Sequence, residues 1–341
     1  MTPGKPARRL EKIWYGLTPL HALLLPPAIL FRLAAMLRRA FYRVGLLHSV
    51  RLAVPVIVVG NISVGGTGKT PLVLWLANFL RQQGRRPGII SRGYGGSAAS
   101  PAEVGADSDP AVVGDEPLLL ARKSGCPVWV GRDRVAAAEA LLRAHPECDV
   151  LVSDDGLQHY RLGRDVEIAV VDGERGFGNG LPLPAGPLRE SVSRLDSVDA
   201  VVVNGGGRNA GVPAKNTFDM LLAGRLFYNL RNPAQRIEPS DLRGKLHAVA
   251  GIGNPRRFFD LLRGSGLDFE AHAFPDHCAY RAQDLDYADA DAILMTEKDA
   301  VKCAGFADER FWVLAVEAVL APGFGELILQ KLRKNNGRQA A

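Results

Sequence analysis

Residues 55–80 constrain the fold more than any other part of the chain. They read PVIVVGNISVGGTGKTPLVLWLANFL: an apolar β-branched run, a glycine-rich loop ending Gly68-Lys69-Thr70, and an apolar helical pattern. A strand, a loop of freely rotating glycines and a helix N-terminus together present backbone N–H groups and a helix dipole to an anion. The segment predicts a phosphate-binding P-loop, in which Lys69 reaches the β- and γ-phosphates and Thr70 holds Mg²⁺.

The loop departs from the usual pattern at one position. A glycine normally stands five residues before the Gly-Lys pair, and here that position is Ser63. Serine can still form the turn, and it adds a hydroxyl near the phosphates. The residues predicted to surround the nucleotide phosphates are Ser63, Val64, Gly65, Gly66, Thr67, Gly68, Lys69 and Thr70. The alternative, a glycine-rich turn followed by a chance Lys-Thr pair, is disfavoured by the flanking strand and helix patterns.

Short β-branched segments recur along the rest of the chain, and helical patterns lie between several of them. This alternation is typical of an α/β fold with a doubly wound, mostly parallel sheet of the P-loop NTPase type. We predict a P-loop core at 51–225 and a smaller C-terminal α/β lobe at 226–330. A basic and apolar helical segment at a membrane interface is predicted at 1–50, and a basic, solvated tail at 331–341.

The positive charge of the chain is concentrated at its N-terminus. Residues 1–51 hold nine of the 42 Lys and Arg residues and one of the 36 acidic residues. The remainder therefore carries a formal charge of −2, against +6 for the whole chain. A nucleic-acid-binding domain would carry its excess of Lys and Arg on the folded body. This distribution therefore predicts no nucleic-acid partner.

The N-terminal segment is also the most apolar stretch of the chain. Its uninterrupted apolar run is shorter than the roughly 20 residues of a membrane span, and Pro26-Pro27 are expected to break a helix in its middle. Arginines flank the run, which favours an amphipathic anchor at the cytoplasmic leaflet. A signal peptide with a poor cleavage site at Ala34-Ala35 and a buried core helix are the alternatives.

Cysteine usage favours a reducing compartment. The four cysteines, at positions 126, 148, 278 and 303, form no CxxC pair. Their spacing suggests neither a disulfide framework nor a zinc site, and no metal-ligand cluster is visible in the sequence.

Polar motifs follow several predicted strands, where a doubly wound sheet collects its chemistry. Asp154-Asp155 stand where a P-loop enzyme keeps its Mg²⁺-directed carboxylate, although two adjacent acids could instead cap a helix. Read alone, Asp115-Glu116 in the VGDEP turn and His277 in FPDH are typical of solvated loop residues.

Seven motifs occur in the order GNISVGGTGKTP, SRGYGG, VGDEP, SDDGLQH, LPAGPLRE, FPDH and TEKDAVK. In this order, and over nearly the whole chain, they resemble the tetraacyldisaccharide 4′-kinase family, the lipid A 4′-kinases, whose loop also takes the Ser63 form. The resemblance implies transfer of the γ-phosphate of ATP, with Mg²⁺, to the 4′-hydroxyl of a tetraacylated glucosamine disaccharide 1-phosphate. It also implies a peripheral enzyme on the cytoplasmic face of a bacterial inner membrane. The implied partners are the acylated disaccharide lipid and the membrane surface, with no obligate protein partner.

The resemblance also implies the catalytic roles. It makes Lys69 the phosphate clamp and Thr70 a Mg²⁺ ligand. It makes Asp115 the base that accepts the proton of the sugar hydroxyl, and His277 the group that orients this base. Because Asp115 and His277 lie far apart in the chain, the pair would form only where the two lobes meet.

Further roles follow from the same resemblance. Glu116 and Asp155 are expected near Mg²⁺, and Asp154 and Asp155 at the nucleotide. The residues expected near the substrate or a phosphate are Gln158, His159, Arg189 and Glu190.

A P-loop GTPase or ATPase switch, or a metallochaperone-type NTPase at the membrane, is the alternative function. The guanine-reading pattern Asn/Thr-Lys-x-Asp is not met by TEKD at 296–299, where the lysine is displaced by one position. The DxxG switch pattern fails at 154–156, and a partition-type ATPase would place lysine where this chain has Val64. A non-enzymatic membrane scaffold would leave the phosphate loop without a role.

Overall fold

The computed structural model describes residues 14–16, 18–207, 212 and 215–339. The strands are β1 (Val56–Gly60), β2 (Pro87–Ser91), β3 (Ala102–Glu103), β4 (Val128–Val130), β5 (Val150–Ser153), β6 (Val166–Asp172), β7 (Ala200–Asn204), β8 (Thr217–Asn229), β9 (Arg236–Ile237), β10 (Leu246–Ala250), β11 (Glu270–Ala273), β12 (Ala292–Thr296) and β13 (Phe311–Leu320). The α-helices are α1 (His21–Arg43), α2 (Lys69–Gln82), α3 (Pro110–Val113), α4 (Asp115–Ser124), α5 (Arg134–Ala144), α6 (Pro255–Gly264), α7 (Glu297–Cys303) and α8 (Phe324–Gln339).

These strands form one sheet across the described part of the chain. Their order is β11-β10-β12-β13-β8-β7-β6-β1-β5-β2-β4-β3, and β9 pairs with β8. Neighbours are parallel except for three antiparallel pairs, β13 with β8, β9 with β8, and β3 with β4. The prediction of a mostly parallel α/β sheet is therefore confirmed.

The helices cover both faces of the sheet because each carries an apolar stripe. In α2, Leu72, Leu76 and Leu80 recur every four residues and are fully buried in the cluster that also holds Ile57 and Val59 of β1. On the opposite face, α5 buries Leu141. Strand β1 is buried along its whole length, as expected of a central parallel strand.

The predicted boundary between 225 and 226 falls inside β8, which pairs with β7 on one side and β13 on the other. The core and the C-terminal lobe thus share one sheet. Antiparallel pairing of β8 with β13 joins the two parallel sets of strands. The loop after β10 nevertheless reaches the loop after β1, since a Cβ at Gly253 would lie 2.4 Å from Gly66 N.

The prediction of a solvated tail at 331–341 is wrong for its first residues. Helix α8 continues to Gln339, Leu332 is buried, and Lys331 Nζ lies 2.6 Å from Asp199 Oδ1. The reason is an apolar stripe, in which Leu332 follows Phe324 and Ile328 at four-residue spacing and joins the main core. Residues 340–341 lie outside the described residues.

The predicted helix break at Pro26-Pro27 is also wrong, because α1 is continuous from His21 to Arg43. Each proline removes only its own N–H from the helix ladder, and both lie within two turns of the N-terminus, so little hydrogen bonding is lost. Judged by length and composition alone, α1 is long and apolar enough to cross a membrane. Residues 1–13 of the predicted N-terminal segment lie outside the described residues.

One side of α1 rests on the folded body. Ala28 is fully buried, the Tyr42 ring lies 5.9 Å from that of Tyr160, and Arg39 Nη2 donates to Ser197 Oγ at 2.8 Å. Most of its other apolar side chains are exposed. The helix is thus attached along its length and presents an apolar face outward.

Candidate active site

The loop after β1 has the backbone geometry of an anion site. Gly68 precedes α2 with φ 93° and provides no side-chain cap, so the first N–H groups of the helix remain available to an anion. A Cβ at Gly68 would lie 2.2 Å from Asn204 Nδ2, which donates to Thr67 O at 3.0 Å. Only glycine fits at this position, and Asn204 fixes the loop in place.

Both halves of the chain support this loop. Val64 N donates to Pro187 O at 2.8 Å, and Ser63 forms a β-bridge with Leu188 in the LPAGPLRE motif. On the other side, a Cβ at Gly253 would lie 2.4 Å from Gly66 N. The C-terminal lobe therefore reaches the phosphate loop through a backbone-to-backbone approach that only glycine permits.

The acidic pair follows β5, the strand next to β1. Lys69 Nζ lies 3.5 Å from Asp155 Oδ1, and Arg189 Nη1 lies 3.2 Å from Asp155 Oδ2. Burial alone would raise the pKa of Asp155, but the charges of Lys69 and Arg189 outweigh it and lower the pKa to about 2.

Asp154 has a different environment. It is buried, and its Oδ1 has no hydrogen-bond partner among the described residues. Burial raises the pKa of Asp154, and the negative charge of Glu116 raises it further. A buried carboxylate beside other acids, with an unpartnered oxygen, suits a cation with oxygen ligands.

The structure brings together the predicted pair of Asp115 and His277. Asp115 begins α4 and is 5% exposed, and His277 Nδ1 lies 3.0 Å from its Oδ1 and 3.1 Å from its Oδ2. The Tyr94 ring lies 4.9 Å from the imidazole. The contact joins the loop that follows β11 to the start of α4.

The charges of this pair influence each other. Burial alone would raise the pKa of Asp115, but the hydrogen bond with His277 and the charge of Lys298 lower it below its ordinary value. Burial would lower the pKa of His277, and the hydrogen bond to Asp115 reverses the direction and raises it. Asp115 is therefore an ionised carboxylate at neutral pH.

Lys298 is a site residue that the sequence analysis missed. Its Nζ lies 2.9 Å from Glu116 Oε1, 3.0 Å from Asp276 Oδ1 and 3.4 Å from His277 Nε2. Burial alone would lower the pKa of Lys298, but the charges of Glu116 and Asp276 outweigh it and raise the pKa. The sequence assigned no role to this lysine of the TEKD motif, because partners so distant in the chain leave no local signal.

The same motif supports the site through its buried aspartate. Asp299 accepts hydrogen bonds from Tyr280 Oη at 2.9 Å and from Gly251 N at 3.1 Å. Lys302 Nζ lies 2.9 Å from Asp299 Oδ1 and 3.9 Å from Asp115 Oδ2. Helix α7 thus holds together the loops that carry the catalytic candidates.

A cavity of about 660 Å³ opens between α1 and the carboxyl edge of the sheet. Among its lining residues are seven that were predicted for the site: Glu116, Asp154, Asp155, Gln158, His159, Arg189 and Glu190. Helix α1 contributes Phe31 and Arg38, and Arg134, which no motif predicted, also lines the cavity. Arg134 Nη2 donates to Asp154 O at 3.3 Å and to Asp155 O at 3.2 Å, which fixes the backbone of the acidic pair.

Two of the predicted substrate residues are mainly engaged with protein groups. Gln158 Nε2 donates to Asn61 O at 2.9 Å and to Glu190 Oε1 at 2.8 Å. Tyr160 Oη donates to Glu190 Oε2 at 2.5 Å, so both oxygens of Glu190 have partners. Burial, and then the charge of Arg134, lower the pKa of His159 to about 4, so this imidazole is neutral at pH 7.

Comparisons with known proteins match this chain to one family over almost its full length. A family model described as Tetraacyldisaccharide-1-P 4′-kinase matches residues 20–333. The chain is 56% identical over 332 residues to a tetraacyldisaccharide 4′-kinase of Azoarcus sp., covering 96% of each chain. It is 54% identical over 340 residues to one of Dechloromonas aromatica, covering 98% of this chain and 99% of the relative. A crystal structure of LpxK from Aquifex aeolicus in complex with ATP is 29% identical, with a TM-score of 0.76, and the match covers 92% of this chain and 99% of that one.

Proposed function

The chain belongs to the tetraacyldisaccharide 4′-kinase family, and from this membership we propose the roles that its site residues play. It is an ATP-dependent kinase that phosphorylates the 4′-hydroxyl of the lipid A disaccharide precursor. A GTPase switch or a metallochaperone is not favoured by these matches. The proposal concerns which side chains perform the transfer.

Asp115 is the base that accepts the proton of the 4′-hydroxyl. The observation that carries this assignment is the contact of its buried, ionised carboxylate with His277 Nδ1 at 3.0 Å. A hydroxyl nucleophile gains from a carboxylate within hydrogen-bond reach by about 10²- to 10⁴-fold. His277 keeps the carboxylate turned toward the acceptor. Single-turnover transfer from γ-labelled ATP by the Asp115→Asn variant tests the assignment.

Lys69 is the phosphate clamp. It stands at the first position of α2, and its ion pair with Asp155 holds the side chain at the loop. ATP brings phosphate oxygens to the same ammonium group, while Arg189 stays paired with the ionised Asp155 carboxylate. The backbone N–H groups of residues 65–70 and the Lys69 ammonium group then share the charge of the phosphates, and positioning supplies most of the rate.

Mg²⁺ is the metal that these residues fit. The Thr70 hydroxyl and the carboxylates of Glu116, Asp154 and Asp155 are the hard oxygen ligands that this ion prefers, and Asp154 Oδ1 is buried without a partner in the described structure. When bound, the ion neutralises charge that develops on the transferred phosphoryl group. Glu116 also pairs with Lys298, which keeps its carboxylate at the edge of the cavity.

The lipid acceptor enters the cavity beside α1. Gln158, His159, Arg189 and Glu190 contact the sugar or its phosphate, and Glu190 also orders Gln158 and Tyr160 around it. Helix α1 lies at the membrane surface on the cytoplasmic side, with its exposed apolar face in the lipid and Arg32 and Arg38 at the headgroups. Because α1 is attached to the folded body along one side, we favour a peripheral helix over a spanning one.

Membrane attachment should depend on the exposed leucines of α1. Leu30 is 67% exposed and Leu37 is 56% exposed. We expect Leu30→Glu together with Leu37→Glu to lower binding to anionic vesicles by at least about tenfold, since each leucine contributes about 1.5–3 kcal/mol when fully buried. Vesicle flotation measures this. The matched control is Leu221→Glu on β8, also 56% exposed, and equal flotation of parent and double variant would contradict the attachment.

Lys298 should be required for the correct position of the catalytic pair. Lys298→Met leaves Glu116 and Asp276 facing each other without their shared cation, so we expect kcat to fall about 10- to 100-fold with little change in ATP affinity. Lys298→Arg should restore part of the rate. The control is Lys123→Met, which breaks another ion pair between α4 and α7, with Glu297 at 2.5 Å. Equal losses in Lys298→Met and Lys123→Met would mean that the effect is only structural.

A further inference from the structure

A second polar cluster lies at the opposite end of the C-terminal strands. His247 on β10 stands opposite Glu270 on β11, and His272 follows two residues later. Side chains two residues apart on a strand point to the same face, so all three side chains lie on one side of the strand pair. The sequence analysis found no metal-ligand pattern here, because the residues come from separate strands.

The atoms of this cluster are close enough to share one ion. His247 Nδ1 lies 2.9 Å from His272 Nε2, and Glu270 Oε1 lies 3.8 Å from His272 Nε2. The three ligand atoms lie within 4.8 Å of one another. Two imidazoles bound to one tetrahedral ion at about 2.0–2.1 Å would have nitrogens roughly 3.4 Å apart. A separation of 2.9 Å therefore needs to widen by only about half an ångström.

The two imidazole rings are already held in place. The Tyr287 ring stacks on both, with centroids 4.5 Å from His247 and 4.3 Å from His272. His247 is buried, so its side chain would lose little conformational entropy when an ion binds.

A carboxylate stands behind the buried histidine. Asp289 Oδ1 lies 3.3 Å from His247 Nε2 without hydrogen-bond geometry, and the other carboxylate oxygen pairs with Lys245 Nζ. A negative charge beside one nitrogen of a metal-binding histidine favours the proton on that nitrogen and leaves the lone pair on the nitrogen that faces the metal. With Nε2 protonated beside Asp289, the lone pair of His247 is on Nδ1, the atom that faces His272.

We propose that His247, Glu270 and His272 form a binding site for a divalent transition-metal ion of the Zn²⁺ class. Two imidazole nitrogens and one carboxylate suit Zn²⁺, Ni²⁺ or Co²⁺, whereas Mg²⁺ prefers oxygen ligands alone. The fourth position is open to solvent, because the Glu270 side chain is 61% exposed.

The ion would act on structure and not on phosphoryl transfer. His277 follows the carboxyl end of β11, and Gly251 follows that of β10, whereas His247 and Glu270 lie at the amino ends of the same strands. Strand β11 is one of the two edge strands of the sheet and has no fully buried residue. The metal would hold this short edge strand against β10, in addition to the parallel ladder and the stacking of Tyr287 on His272.

The test is metal binding to the whole, untagged, chelator-treated protein in the presence of excess Mg²⁺. We expect one Zn²⁺ per chain by titration calorimetry, and a visible absorption spectrum of four-coordinate Co²⁺. Glu270→Gln and His272→Gln should each weaken Zn²⁺ binding by at least about tenfold, and Asp289→Asn by about tenfold. Zn²⁺ should raise the Tm of the parent but not that of the two ligand variants.

The control is His145→Gln, which removes another imidazole that lies between two acids, Glu103 at 2.9 Å and Glu147 at 3.3 Å. It should bind Zn²⁺ as the parent does. Glu270 is exposed, so its variant keeps the proposal testable if His272→Gln fails to fold. Absence of one-to-one binding, or equal affinity in the parent and Glu270→Gln, would overturn the proposal.

Discussion

Replacing Lys69 with alanine is expected to lower kcat/KM for phosphate transfer by about 10²- to 10³-fold, the usual loss when one charged group that stabilises the transition state is removed. Lys69 starts the helix whose N-terminus is proposed to face the phosphates, so its ammonium group is placed to reach the β- and γ-phosphates. Arg189 approaches the same acidic pair but is already paired with Asp155 at 3.2 Å. Initial rates with γ-labelled ATP and the disaccharide lipid measure the loss.

The folded state should tolerate this change. The ion pair removed, between Lys69 and Asp155, has a length of 3.5 Å, and Arg189 remains beside Asp155 to keep it ionised. Lys331→Ala, which removes a different ion pair with Asp199, is the control and should keep the parental rate. Near-parental turnover by folded Lys69→Ala would rule out the phosphate-clamp role.

Loss of Asp115 is expected to lower kcat by about 10²- to 10⁴-fold and leave ATP affinity nearly unchanged, because the proposed base would contact the sugar and not the nucleotide. His277→Ala should cause an equal or smaller loss. If the histidine acts by orienting the carboxylate, the two residues share one function, and the double variant should be little worse than Asp115→Ala. Steady-state kinetics of the four proteins gives the coupling directly.

Two control measurements distinguish a catalytic loss from a loss of folding in this mutant cycle. Nucleotide binding, measured by calorimetry, should stay parental in all four proteins. Asp115→Asn keeps the volume of the buried side chain but not its charge, and should be as slow as Asp115→Ala. Losses that simply multiply in the double variant would mean that Asp115 and His277 act independently.

The sequence was most informative where chemistry and local structure coincide. The strand, glycine loop and helix of residues 55–80 are contiguous, so their pattern predicted both the element boundaries and the role of Lys69. Asp154-Asp155 could be placed because they directly follow an apolar strand. The resemblance supplied the pairing of Asp115 with His277, which no periodicity predicts, because the two residues approach each other only through the folded sheet.

The role of Lys298 could not be predicted because it depends on long-range contacts. Lys298 is 182 residues from Glu116, and its role depends on helix α7 packing against α4. Helix α1 was expected to break because the cost of a proline pair was overestimated near a helix start. The C-terminal residues were predicted to be solvated because charged residues lie between Phe324, Ile328 and Leu332. These three form an apolar stripe that is visible only at four-residue spacing.

The central claim is that Asp115 removes the proton from the 4′-hydroxyl during transfer. Rapid-quench single turnover with γ-labelled ATP, excess enzyme and the tetraacyldisaccharide 1-phosphate measures that step without product release. We predict that the parent places the label on the 4′ position, and that Asp115→Asn, with ATP bound to the same extent, does so at least about 10²-fold more slowly. A single-turnover rate in Asp115→Asn equal to that of the parent would contradict the account.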